Sequence, residues 1–449
     1  MSVGLLGLTA GVVAAVAGPA AGLLIILTML AALVSAFMPG LVFAAYLLIT
    51  FYKGALQPYS PVDLTVLLAL VNVLQIVPVF LNRRERHISR AGMTLWVLLA
   101  LLILGGIIYA PDQDLALQKA ALWWALVFLP MIPAALRVGS EERYVRQFVW
   151  AFFGMGALVV VTGITTLSTT QRLVLLGENT IEVSRAALLV PLTGSVFVLQ
   201  QRSLLMRAAT IVLIPAALVV ALASGSRGPL LVLVLLGVLG AIRYLSRPHG
   251  VNWRLAGAAA GLAVASMVVV SVAAPDLPGQ SIARFGSFGD FLQSGLSEGP
   301  SSSTTDLSSS IRVNLFGYAV SLFEEQPVLG VGTGGFEPLS RRYLDPINAE
   351  PYPHNALLQF AAEFGLVGVA IFASLALLAM TRRLPPSSSM RAIRILYLFF
   401  FLNSMVSLDI YTDRTTWGLL LLVLLIEVPP VADERGGSSV SRTRMRAAF

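Results

Sequence analysis

The sequence contains no cysteine, only two lysines (Lys53 and Lys119), and few charged residues for its length. The missing cysteine excludes disulfide bonds and thiolate chemistry, and it is compatible with any cellular compartment. Charged side chains make up only 12% of the 449 residues, whereas hydrophobic side chains make up 57%. This balance lies far outside that of soluble domains and predicts a chain whose helices lie in a membrane.

Apolar runs of about 15 to 25 residues recur along the chain, and this is the length that crosses a bilayer as a helix. We therefore predict an all-α, polytopic integral membrane protein with about 12 to 14 transmembrane helices. Two or three spans are expected within 3–53, and the first residues are interpreted as the start of a span and not as a cleaved signal peptide. The other predicted spans are 62–81, 91–109, 119–136, 147–167, 186–200, 208–223, 229–242, 255–274, 355–380, 393–410 and 416–430.

Most basic residues lie in alternate loops, and this bias predicts that the Arg-rich loops are cytoplasmic. The net charge of +7 then follows from topology and requires no nucleic-acid partner. We predict N-terminal transmembrane helices at 1–274, a large extracytoplasmic loop at 275–353, C-terminal transmembrane helices at 354–430 and a cytoplasmic tail at 431–449. The Arg-rich set is Arg83, Arg84, Arg86, Arg90, Arg137, Arg143, Arg146, Arg202, Arg207, Arg243, Arg247, Arg254, Arg382, Arg383, Arg391, Arg394, Arg435, Arg442, Arg444 and Arg446.

The long outer loop carries an amphipathic pattern that predicts a helix over about 311–325, lying on the membrane surface and ended by Pro327. Residues 286–310 are rich in Ser and Gly and are predicted to be mobile. The glycine-rich run 330–336 is predicted to be a flexible turn, and it lacks the ending of a nucleotide-binding loop. The apolar residues at helical spacing are Leu315, Tyr318, Ala319, Leu322 and Phe323.

His354 and Asn355 lie at the mouth of the 355–380 span, directly after Pro353. Unpaired backbone N–H groups at such a helix start attract anions. A free imidazole titrates near neutral pH and can act as a general base, although the same residue could simply cap the helix or face the interface. His354 is therefore a candidate catalytic base.

Two arginines lie on the predicted outer face, where the orientation bias gives no reason for a topology anchor. Arg227 is in a short turn between two apolar spans, and Arg312 is predicted to open the loop helix. A cation at a helix N-terminus is mildly unfavourable, which indicates an anionic partner. The planar guanidinium fork suits bidentate binding of a diphosphate.

Other charged residues near the outer ends have simpler explanations. Arg185 begins the 186–200 span and is predicted to form a local ion pair with Glu182. Glu363 points roughly opposite His354 on the helix and is expected to pair with a buried cation or polar group. Asp409 is a secondary candidate for orienting the histidine.

Four of these features together resemble the bacterial O-antigen ligase family, whose superfamily includes O-antigen and exopolysaccharide polymerases. They are His-Asn, nine residues and Gly-x-x-Gly at 354–368, Pro-x-x-Gly-x-Gly at 327–332, Arg312, and Ser226-Arg227-Gly228. The resemblance implies an enzyme of the bacterial inner membrane that transfers a glycan from undecaprenyl diphosphate to an acceptor hydroxyl on the periplasmic face. It further implies inversion at the anomeric carbon, with no metal and no cofactor.

The resemblance also implies site roles and partners. Arg227, Arg312 and Asn355 would bind the donor diphosphate, and His354 would activate the acceptor. The acceptor would be lipid A-core for a ligase, or a second lipid-linked glycan for a polymerase, and membrane lipids surround the chain. A lipid-glycan transporter is the more distant alternative, but it would be expected to place charges deep within several spans.

Two further sets of polar residues are weaker candidates. Arg341 and Arg342 are predicted to contact solvent or lipid headgroups, with acceptor binding as the alternative. Asp112 and Asp114 have the Asp-x-Asp spacing of metal-dependent glycosyltransferases, but they lie in a short exposed loop. We therefore predict no metal site.

Overall fold

The computed structural model describes residues 33–60, 62–81, 89–167, 173, 175, 179–245, 307–341 and 352–426. Every regular element in these residues is helical, as predicted. Within them, seven helices are long and apolar enough to cross a membrane, and three shorter ones are also apolar. The helices named below are α1 (Pro39–Leu47), α2 (Leu64–Leu81), α3 (Arg90–Gly105), α4 (Gln113–Gly139), α5 (Glu142–Thr165), α6 (Thr180–Val196), α7 (Leu204–Ser224), α8 (Arg227–Leu245), α9 (Leu307–Glu325), α10 (Phe336–Ser340), α11 (Ala356–Thr381), α12 (Ser388–Ser407) and α13 (Arg414–Leu425).

Each predicted span within the described stretches corresponds to one of these helices, from α2 to α8 and from α11 to α13. The spans predicted at 255–274 and before residue 33 lie outside the described residues. Several helices begin five or six residues before the predicted span, among them α4 at Gln113 and not at 119. The same difference at α6, which begins at Thr180 and not at 186, places Arg185 inside the helix. The helix begins earlier because Asn179 caps it and because Glu182 and Arg185, in its first two turns, form an ion pair with each other.

Polar residues in the loops determine where the apolar helices begin. Each of these side chains accepts a hydrogen bond from a backbone N–H of the first helical turn, which would otherwise have no partner. The capping residues are Asp63, Ser89, Asp112, Asn179, Ser203, Asn355, Ser387 and Asp413.

Loops that were predicted to share one side of the membrane lie together in the structure. At the Arg-rich end, Arg391 donates to Gln200 of a different loop at 2.8 Å. At the opposite end, the backbone N–H of Thr333 donates to the Gly106 carbonyl at 3.2 Å. Both contacts join loops that the loop charges place on the same side, and the orientation itself stays a prediction.

Aromatic side chains fill the centre of the helical core. Trp96 of α3 packs against Trp123 of α4 and Trp417 of α13, with ring centroids 5.4 and 5.5 Å apart. The indole N–H of Trp417 donates to the Ile410 carbonyl at 2.8 Å. This aromatic cluster therefore supports the loop that joins α12 to α13, which becomes important at the site.

The predicted helix of the outer loop is present as α9, but it begins at Leu307, so the prediction that Arg312 opens it is wrong. Leu307 and Ile311 are four residues apart and extend the apolar repeat by one turn into the Ser-rich segment. Arg312 thus lies in the second turn of α9. The unfavourable position at a helix N-terminus, which indicated an anionic partner, does not exist.

The apolar face of α9 packs against other parts of the chain. Leu315, Ala319 and Leu322 are buried in one cluster with Phe336 of α10 and Ala362 of α11. The predicted amphipathic helix is thereby confirmed. Its apolar stripe is covered by α10 and α11, so protein packing accounts for the pattern without contact with a membrane surface.

The glycine-rich turn after α9 is tightly held, and the prediction of a flexible turn is wrong. At Gly365, with φ 58° and ψ −153°, the backbone of α11 leaves the helical conformation. The break frees two carbonyls and two N–H groups, and the turn pairs with all four. The hydrogen bonds run from Val331 N to Ala362 O, Gly332 N to Glu363 O, Leu366 N to Pro327 O and Val367 N to Val328 O, at 2.8 to 3.3 Å.

Candidate active site

His354 lies where an extended segment turns into α11. Its φ of 53° is the only positive value among the described residues other than glycine. Its half-buried ring packs against the Tyr352 ring, with the centroids 4.2 Å apart and the planes tilted by 49°. A left-handed histidine is uncommon, and strained backbone of this kind clusters at functional sites. The conformation places the imidazole directly before the first turn of α11.

Asn355 has a structural role next to the histidine. Its side chain accepts from the Leu358 N–H at 3.0 Å and so caps α11. The cap fixes the first turn of the helix that directly follows His354. If Asn355 also binds the donor, as the resemblance implies, it must do so through polar groups that take no part in the cap.

Arg227 is the first residue of α8 and is half-buried. The preceding helix ends at Gly225 in the left-handed conformation, with φ 72°, which allows the tight turn into α8. A Cβ added at Gly228 would lie 3.5 Å from the Val406 side chain, so the start of α8 sits against the last turn of α12.

Arg185 reaches the same end of α12 from α6. Its guanidinium is 1% exposed, pairs with Glu182 at 2.7 Å and donates to the Ser407 carbonyl at 3.0 Å. The predicted ion pair is confirmed. The last turn of α12 therefore brings Arg185 and the Gly225–Gly228 turn close together, although they are far apart in the sequence.

Segment 407–413, between α12 and α13, connects several parts of the site. Gln359 of α11 donates to the Asp409 carboxylate at 2.7 Å, and its carbonyl accepts from the Ile410 N–H at 3.1 Å. Asp413 caps α13 by accepting from the Thr416 N–H at 3.0 Å. Asp409 thus has a buried amide partner in addition to any role near the histidine.

Arg312 and His354 lie at comparable heights on neighbouring helices. The chain after α9 meets α11 where Leu366 N donates to Pro327 O, and Ile311 and Leu358 pack against the same apolar cluster. The two helices therefore run in the same direction. At 1.5 Å per residue, Arg312 is about 22 Å from Pro327 and His354 about 18 Å from Leu366, so both stand near the same end.

A second polar cluster, formed by Lys119, Glu337, Glu363 and Tyr411, lies beside the glycine-rich turn. Lys119 of α4 pairs with Glu337 of α10 at 2.9 Å, and the Tyr411 hydroxyl donates to the Glu363 carboxylate. The same carboxylate accepts from the Gly334 N–H at 3.0 Å. The expectation that Glu363 pairs with buried polar groups is confirmed.

Arg341 also binds Glu337, at 2.5 Å, while most of its side chain is exposed. Burial alone would raise the pKa of Glu337, but the neighbouring Lys119 and Arg341 cations hold that pKa below its ordinary value. Glu337 is therefore charged at neutral pH and balances both cations. Arg342 lies outside the described residues.

Asp112 and Asp114 have a simpler role than metal binding. The Asp112 carboxylate accepts from the Leu115 N–H at 3.0 Å and caps α4, and Asp114 lies in the first turn of that helix. Acidic residues in both positions are favourable because they face the positive end of the helix dipole. Helix capping therefore explains why the two carboxylates are spaced in this way.

Sequence reasoning missed Lys119, Glu337, Gln359 and Tyr411. The signal for Lys119 was present, since it is one of only two lysines and lies near the start of an apolar span. Gln359 and Glu363 are four residues apart and share one helix face, which marks a polar stripe in an otherwise apolar helix. Glu337 and Tyr411 carry no comparable signal.

Residues 208–373 match a family model described as O-antigen ligase. The match runs from α7 into α11 and includes Arg227, Arg312 and His354, whereas Lys119, Arg185 and Asp409 lie outside it. A comparison with curated proteins returns no match. The family match supports the resemblance inferred from the motifs, and it indicates a membrane protein of the type that transfers glycans.

Proposed function

With an O-antigen ligase domain at residues 208–373 as the premise, we propose that this chain is a metal-independent, inverting membrane glycosyltransferase. Its donor is a glycan on undecaprenyl diphosphate, and its acceptor is a hydroxyl of lipid A-core. The reaction takes place on the periplasmic face of the bacterial inner membrane, at the end of the helices that carries His354. The observation that carries this proposal is the arrangement of Arg312 and His354 at the same height, near the N-terminal ends of the parallel helices α9 and α11.

Two arginines of the matched domain, Arg227 and Arg312, bind the donor. Arg227 and Arg312 each offer a planar pair of N–H donors to a phosphate, which a point charge cannot match. As the bond between the anomeric carbon and the diphosphate oxygen breaks, the electron pair remains on that oxygen. The guanidinium groups stabilise the charge that develops there, and undecaprenyl diphosphate leaves.

His354 acts on the acceptor. The acceptor oxygen attacks the anomeric carbon from the face opposite the diphosphate, which inverts the configuration. The hydroxyl proton passes to the neutral imidazole, so that the new glycosidic bond forms without a strained oxonium intermediate. The position of His354 directly before the capped start of α11, in a strained left-handed conformation, supports this role, because such backbone clusters at functional sites.

The experiment is glycan transfer measured on purified variants with a lipid-linked donor. His354→Ala should lower the rate by about 10² to 10⁴-fold, while the protein still inserts and binds donor. Arg341→Ala is the control in the same loop region and should be much milder. Transfer by His354→Ala at the wild-type rate would show that the histidine only shapes the helix start.

A polymerase, whose acceptor is a second lipid-linked glycan, uses the same donor chemistry and is the alternative. The description of the matched family favours the ligase. Offering the enzyme lipid A-core and lipid-linked glycan in parallel separates the two. A transporter would move donor across vesicle membranes without any product, and the concentration of charges at the outer ends of the described helices argues against it.

A further inference from the structure

Glu363 is a fully buried carboxylate in the first half of α11, and it has no part in the proposed chemistry. It accepts hydrogen bonds from the Gly334 N–H and the Tyr411 hydroxyl, and Gln359 approaches it at 3.5 Å. Lys119 interacts electrostatically with it. These partners come from four separate segments of the chain, so Glu363 joins parts that the sequence keeps apart.

Gln359, one turn earlier, extends the connection to segment 407–413 through Asp409 and the Ile410 N–H. The Tyr411 hydroxyl joins segment 407–413 to the glycine-rich turn, because it also accepts from the Gly334 N–H at 2.9 Å. The glycine-rich turn, α11 and segment 407–413 are therefore bound to one another by a continuous set of buried hydrogen bonds.

Burying such a polar network among apolar helices costs free energy. A buried charge loses its solvation, and well-packed apolar side chains are often as stable as a buried ion pair. What a fully satisfied polar network adds is a unique arrangement of the parts that it joins. The parts joined here are the turn that directly follows α9 and the helix that carries His354.

We propose that Glu363 is a positioning residue for the transfer reaction. By binding Gly334, it fixes the glycine-rich turn on the break in α11, and so it sets where α9 presents Arg312 relative to His354. Without the Glu363 carboxylate, the four backbone hydrogen bonds at the break remain, but the later part of the turn, at Gly334, loses its hydrogen bond to α11. This inference rests on the proposed function of Arg312 and His354.

The test combines rates with distances, and the cysteine-free chain makes spin labelling straightforward. A pair of cysteines in one variant, at Val320 of α9 and Leu205 of α7, reports on the position of α9 relative to the helical body. Both positions are exposed. A second pair, at Leu357 of α11 and Leu205, is the reference. In Glu363→Ala the first distance distribution should broaden or shift, while the reference pair stays as in the wild type.

The same variant should transfer glycan about 10²-fold more slowly, as expected for a displacement of about 1 Å between reacting groups. Glu363→Gln retains an oxygen that accepts from Gly334 and Tyr411, so it should restore most of the rate and the narrow distribution. Asn403→Ala is the matched control, because Asn403 is also fully buried but its amide donates to Phe399 of its own helix. It should change neither readout.

A loss of rate in Glu363→Ala with an unchanged distance distribution would overturn the proposal. If that variant does not fold, Tyr411→Phe removes only the hydroxyl and should still broaden the α9 distribution, and an unchanged distribution there would also overturn it. The proposed function fails in a different way, by normal transfer in His354→Ala whatever the distances show.

Discussion

Lys119 and Glu337 form a 2.9 Å ion pair between the first part of α4 and the short helix α10. Both side chains are largely buried, at 14% and 11% exposure, and Arg341 binds the same carboxylate. Because α10 directly follows the glycine-rich turn, this pair holds the end of that turn against a membrane helix. The pair ties α10 to the helical body.

We expect Lys119→Met and Glu337→Gln each to lower the thermal stability of the purified protein in detergent. Residues in direct contact commonly show a coupling of about 0.5 to 3 kcal/mol, so the double variant should be less destabilised than the two single variants together. Strictly additive losses would show that the pair contributes no coupling.

The same ion pair has a pH dependence with a definite sign. The pKa of Glu337 in the folded protein is below its ordinary value of 4.5, so the pair stabilises the protein fully above that pH and is lost as the pH falls below it. Glu337→Gln should remove this part of the acid sensitivity. Stability curves of wild type and variant that run parallel through this range would contradict the assignment.

The sequence predicted the helical spans and their alternation, because hydrophobic length and loop charge are local properties of the chain. The catalytic candidates followed from residue type and position at the helix ends. The break at Gly365 was beyond prediction, since its four freed backbone groups find partners in a turn far away in sequence. Lys119 was overlooked because a lysine near a helix end ordinarily extends to water, whereas here Glu337 holds it in the protein.

Gly365 should tolerate no side chain. Its φ and ψ of 58° and −153° fall in a region that is essentially restricted to glycine, at a cost of about 1 to 3 kcal/mol for other residues. A Cβ there would also lie 2.4 Å from the Val328 backbone. Gly365→Ala should therefore lower the melting temperature and displace the turn.

The matched control is Gly154→Ala in α5, where a Cβ meets nothing within 4 Å. It should be neutral or slightly stabilising, because alanine favours a helix over glycine. Equal melting temperatures for Gly365→Ala and Gly154→Ala would mean that the break in α11 does not persist in solution.

The two groups of loops should be accessible from opposite sides of the membrane. We expect a cysteine at Asp114, near the start of α4, to react with an impermeant thiol reagent in spheroplasts. A cysteine at Arg202, in an Arg-rich loop, should react only after permeabilisation. Both positions are exposed, and the chain has no other cysteine to confuse the result. Labelling of Arg202→Cys alone would reverse the orientation and move His354 to the cytoplasmic face.

Transfer should continue in excess EDTA, because two arginines supply the positive charge that a divalent ion would bring to a diphosphate. Asp112→Asn should also keep near wild-type activity, since asparagine caps a helix about as well as aspartate. Activity that disappears in EDTA and returns with Mg²⁺ or Mn²⁺ would contradict this mechanism and make Asp112 and Asp114 candidate ligands.

Arg227 and Arg312 should differ from other cations in how well lysine replaces them. Arg→Ala at either position removes a bidentate phosphate contact and should weaken both donor binding and turnover. Lysine restores the charge but not the planar fork, so it should recover the activity only in part.

The control for this prediction is Arg341→Lys, whose side chain is 67% exposed and pairs with a carboxylate at the edge of the site. It should leave the KM for donor unchanged, because an exposed pair contributes little. Full activity of the lysine variants at both Arg227 and Arg312 would show that these residues act only as diffuse positive charge. Loss of turnover without any change in donor binding would instead assign the arginines to the leaving group alone.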